Sequence, residues 1–163
     1  MEAKIRKHQH TLFIAGYAVI LSGIWDAVKT ILNLTINQSL FDLVEQQAPA
    51  YTLEVKIIST VFAGLSLFIL ITIMMSIRIT IGRAAIRLGK GEETKYVAMV
   101  FWSVILLLTN ALGIATSILG VTHGENAINM ASSFLIDLTT FFLLAGILIA
   151  LYNLKKLLRQ TDG

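Results

Sequence analysis

Four long apolar stretches divide this chain, covering residues 11–34, 55–77, 96–119 and 127–152. Each meets or exceeds the ~20 residues that a helix needs to cross a hydrocarbon layer of about 30 Å. No water is available in such a layer, so every backbone N–H and C=O must be satisfied within its own segment. Each stretch is therefore expected to be helical. With 14% charged residues, the chain falls well below the ~25% of a soluble domain. The spans use up most of its 163 residues. The expected architecture is all-α: one antiparallel four-helix transmembrane bundle occupying residues 1–163.

Charge sets the expected orientation. Lys4, Arg6 and Lys7 precede the first span, and Lys155, Lys156 and Arg159 follow the last. Arg78, Arg83, Arg87, Lys90 and Lys95 lie between the second and third, so these segments hold 11 of the 13 basic residues. The other two connections carry Asp42, Glu45, Glu54 and Glu125, with Lys56 at one edge. The positive-inside rule then places both termini in the cytoplasm. The expected location is a bacterial plasma membrane, crossed four times. The pI near 9.3 has the same explanation, so nucleic acid is not an expected partner; anionic lipid head groups are.

Two features rise above simple anchoring. In the first outer loop, Ser39-Leu40-Phe41-Asp42 reads as a capping box before a short apolar run that Pro49 stops, which predicts a surface helix. The second span, meanwhile, does not end at its inner boundary. Its pattern continues to Gly89-Lys90-Gly91, giving a helix of about 52 Å at 1.5 Å per residue. A helix of that length must protrude, tilt or bend at Gly82. Arg83 and Arg87 share a face and, with Arg78 and Lys90, form an expected cytoplasmic basic surface for head groups or an acidic partner.

Polar groups inside the spans are costly in hydrocarbon and carry most of the remaining information. Asp26, Asn110 and Asp137 fall at about one depth, some 21–23 Å from the inner boundary at 1.5 Å per residue. Lys29 follows Asp26 on the same helical face, and Lys56 enters from the outer end of the second span. Thr109, Thr139 and Thr140 add hydroxyls nearby. Two readings follow for this layer: an interhelical network that sets register, or a proton- or cation-handling site.

Enzymatic chemistry finds no complete set of groups. There is no cysteine, which removes disulfides, thiol chemistry and thiolate metal clusters. His8, His10 and His123 all lie outside the spans, so no haem ligand or histidine base is placed within one. Neither a zinc-peptidase His-Glu-x-x-His nor a Gly-x-Ser-x-Gly elbow occurs. No cofactor is expected. The leading expectation is a non-catalytic membrane subunit that binds other membrane proteins or itself through small-residue faces such as Ala18/Ser22, Ala111/Ala115, Gly113/Ser117 and Gly146/Ala150. The alternative is a small transporter or channel subunit that uses the polar layer.

Overall fold

The computed structural model describes residues 2–36, 52–92, 96–122 and 127–160. Among them the chain is all-helical, with α1 (Glu2–Ile36), α2 (Leu53–Gly89), α3 (Val97–Thr122) and α4 (Ala127–Arg159). All four are long and apolar enough to cross a membrane, the pattern of a multi-pass integral membrane protein. The surface helix expected near residues 39–49 lies outside the described residues.

The helices overrun the apolar stretches because their ends are also packed or capped. α1 begins at Glu2 rather than near Thr11. Glu2 stands at the positive end of the helix dipole and reaches Arg6 one turn on at 3.9 Å. That exposed pair contributes little. Packing of Ile5 against the apolar core explains the extra turns better. α4 likewise continues to Arg159, with Lys156 and Arg159 favourably placed in its last turn.

α2 ends where the glycines predict. Gly91 takes φ 81°, a left-handed conformation that glycine adopts without steric cost. The Glu92 N–H donates to the Arg87 carbonyl at 3.0 Å, and the Gly91 N–H to Leu88 at 3.0 Å. These two bonds are the Schellman pattern, which satisfies carbonyls that a helix end otherwise leaves open.

The chain forms two compact units: Met1–Ser22 with Ile77–Gly163, and Gly23–Ser76. The first holds the core. Leu12, Ala15 and Val19 from α1, Ile81 and Ala85 from α2, Met99 and Leu106 from α3, and Leu144, Ile147, Ala150, Leu151 and Leu154 from α4 are all buried in one cluster. Their three- and four-residue spacing lays a single stripe along each helix.

Within this unit α1 and α2 approach to backbone contact. A Cβ added at Gly82 would stand 2.7 Å from the Gly16 carbonyl oxygen and collide with Ile20. One added at Gly16 would meet the Gly82 carbonyl oxygen at 2.7 Å, and one at Gly89 would stand 2.7 Å from the Gln9 oxygen. Gly82 opens a notch for the neighbouring helix, as small residues do at membrane helix crossings.

The second unit contains the C-terminal part of α1 and the first two-thirds of α2. The buried residues of α2 are Arg78, Ile81, Gly82 and Ala85. No residue from Leu53 to Ile77 is buried.

Candidate functional site

The apolar stripes of the first unit end in polar residues at one level. One turn beyond Val19 lies Ser22, and one turn before Ile81 lies Arg78. Leu106 is followed by Asn110, and Leu144 is preceded by Thr140. Arg78, Asn110 and Thr140 are buried, and Ser22 is partly so. Each helix thus carries a polar side chain at one end of its apolar stripe.

Ser22 and Arg78 join α1 to α2. The Arg78 Nη1 donates to Ser22 Oγ at 3.1 Å, while Ser22 Oγ donates to the Val19 carbonyl at 2.9 Å. The serine therefore serves as acceptor across the helix pair and as donor within its own helix. A guanidinium stays charged under all protein conditions, so this layer carries a fixed positive charge. That corrects the sequence expectation for Arg78. It was grouped with the cytoplasmic basic surface because charge usually marks the end of a span, but at 8% exposure it faces the protein interior.

Asn110 and Asp137 both lie in the first unit. The Asn110 amide donates to the Leu106 carbonyl one turn back at 2.6 Å. The Asp137 carboxylate rests on Gly113, with Oδ2 2.7 Å from the place a Cβ would take. Gly113 is one turn from Asn110 on α3, and its missing side chain makes room for the carboxylate. Asp26, Lys29 and Lys56 belong to the other unit. There the Asp26 and Lys56 carbonyls each accept a threonine hydroxyl at 2.8 Å, from Thr30 and Thr60.

Sequence reasoning missed Ser22 and Ser103 as members of this buried polar set. Ser103 and Thr140 are fully enclosed, and among the described residues neither hydroxyl has a hydrogen-bond partner. The signal was present in the spacing: Ser103, Leu106 and Asn110 form one stripe, as do Arg78, Ile81, Gly82 and Ala85.

Arg83, Arg87 and Lys90 are exposed toward the other end of the core. Arg83 and Lys90 point outward. Arg87 is held by Glu92, with Nε donating to the carboxylate at 2.8 Å, which offsets its charge. At the same end, Lys155 Nζ donates to the Tyr96 hydroxyl at 2.6 Å and lies 4.8 Å from the centre of that ring. Tyr96 lies just before α3. The hydrogen bond from Lys155 and its charge hold the phenol below the usual tyrosine range, with a further push from Arg159. Ultraviolet titration should therefore show one of the four tyrosines ionising ahead of the rest. Lys155→Met should merge it with the others; an unchanged early phase would assign that phase elsewhere.

No group of three His, Asp or Glu that could hold a metal ion occurs among the described residues. No protein-family model, curated protein or solved structure matches the chain.

Proposed function

We propose that the protein is a non-catalytic assembly subunit: an antiparallel four-helix transmembrane bundle that binds other membrane proteins or further copies of itself. The observation that carries this is the state of α2. From Leu53 to Ile77 none of its residues is fully buried, and Ile58, Phe62 and Phe68 are each about 70% exposed. This segment is about 37 Å of apolar helix at 1.5 Å per residue, longer than the bilayer core and open to a neighbouring helix. Contacts that advance from Gln9 to Gly16 to Ser22 on α1 as they retreat from Gly89 to Gly82 to Arg78 on α2 support the antiparallel arrangement. The positive-inside distribution supports cytoplasmic termini, and Arg83 and Lys90 suit contact with anionic head groups.

The transport alternative draws less support. The residues of its polar layer divide between the two units, and the first unit also buries the fixed charge of Arg78, which disfavours a cation or proton. Beneath that layer Leu12, Val19, Ile81, Leu144 and Ile147 are completely enclosed, leaving a dry apolar plug on the cytoplasmic side.

The absence of cysteine makes the assembly reading directly testable. Single cysteines at Ile58, Phe62, Leu65 and Phe68 in native membranes, treated with a short thiol-to-amine cross-linker, should give discrete higher-mass bands at positions sharing one helical face. A ladderless monomer at all four would mean that α2 meets only lipid, and the proposal fails. In parallel, cation flux through liposomes containing the purified chain is expected to match protein-free liposomes. Flux abolished by Asp137→Asn would favour transport instead.

A further inference from the structure

The end of the first unit that carries Tyr96 and Lys155 contains a cleft that the assembly reading does not use. It has a volume of about 1100 Å³ and is lined by Leu88, Phe101, Trp102, Leu154 and Leu158, with Gln9 and Tyr96 among its polar groups. Its wall is largely apolar, yet it opens where α1, α2 and α4 carry basic residues near their ends. We propose that this cleft is a binding site for one anionic phospholipid of the inner leaflet, with an acyl chain against Trp102 and Leu154 and the head-group phosphate at Lys155.

Charge complementarity selects this occupant over a neutral one. Among the described residues of the lining Glu92 is the acidic one, and Arg87 already neutralises it at 2.8 Å. Lys155 is fixed to the cleft wall by its bond to Tyr96, so its charge is positioned before a ligand arrives. Positioning in advance reduces the ordering cost of binding. Lys156 and Arg159 follow in the last turns of α4, and the charge of Arg159 is close enough to act on the Tyr96 phenol. Basic pockets between spans on the cytoplasmic side are suited to phospholipid head groups. Amphipathic rings such as Tyr96 and Trp102 sit well where apolar and polar layers meet. The inference rests on the four spans and their orientation, not on what docks against α2.

Trp102 supplies the probe, because the other tryptophan, Trp25, is not in the cleft. The full chain carrying Trp25→Phe is reconstituted into phosphatidylcholine vesicles containing small fractions of brominated lipid. Brominated phosphatidylglycerol should quench Trp102 at about one-fifth the mole fraction that brominated phosphatidylcholine requires, the preference that one interfacial lysine confers. Lys155→Met should bring the two lipids to parity. Ala98→Phe, which fills the cleft while leaving every charge in place, should remove the preference as well. Equal quenching in the parent protein overturns the site, since it describes ordinary annular lipid. So does the absence of quenching by either lipid, because a second copy or a partner protein then covers the cleft. A preference that survives either variant places the selectivity elsewhere.

Discussion

Gly82→Leu is expected to disrupt the packed half of the molecule. The obstacle to a side chain at this position is the Gly16 carbonyl oxygen, 2.7 Å from the place of the Cβ, together with Ile20. A side-chain neighbour yields by changing rotamer, but a carbonyl in the middle of a helix moves only if the helix moves. Overfilling a packed site costs about 1–3 kcal/mol when neighbours adjust. Here the α1–α2 contact itself must open, so a loss of about 3 kcal/mol or more is expected, a large part of the ~5–15 kcal/mol that holds a typical fold. Unfolding by sodium dodecyl sulfate from a mild detergent micelle measures this directly. Gly146 supplies the contrast, since an added Cβ there meets nothing within 4 Å. Gly146→Ala should be neutral or stabilising by up to about 1 kcal/mol, the helix-propensity difference alone. Equal midpoints for Gly82→Leu and the parent protein would falsify the close crossing.

Arg78→Ala is expected to have the second large effect, a loss of about 2–5 kcal/mol, the range for truncating a long buried side chain to alanine. The variant removes a charge-assisted bond to Ser22 and leaves a cavity where the long side chain packed. Ser22→Ala removes only the acceptor and should cost less, about 1–2 kcal/mol. Arg78→Lys keeps the charge without the planar fork and should fall between the two. Arg78→Met keeps most of the volume and separates packing from charge. If Arg78 were simply an orientation charge at the membrane surface, Arg78→Ala would alter insertion and leave the unfolding midpoint of correctly inserted protein within about 0.5 kcal/mol of the parent. The same detergent titration decides between the two.

The position of Arg78 also shows where the sequence stops informing. Charge along a chain marks a span boundary only when the charged residue faces solvent or head groups. A pattern that reads Ile77-Arg78-Ile79 has no means of saying which way Arg78 turns. Yet the apolar run past Ile77 and the spacing of Arg78 with Gly82 and Ala85 do place it on a packing face. Ser22, at the middle of the first apolar stretch, then sets its level. For Asn110 and Asp137 rise per residue alone gives similar expected depths, and both fall in the first unit. The same arithmetic included Asp26, Lys29 and Lys56, which belong to the other unit.

By itself the sequence determined the existence and helical state of four spans, since long apolar segments in a medium without water have hydrogen-bonded helices as their available structure. It also determined the end of α2, because a glycine at Gly91 allows the backbone turn that closes a helix. Tertiary structure alone decided which glycines are contact points, which polar residues cap the core, and that the basic end encloses a cleft. Those properties depend on the rotation and separation of helices. Interhelical packing sets both, and an apolar pattern with little asymmetry around each helix leaves them open.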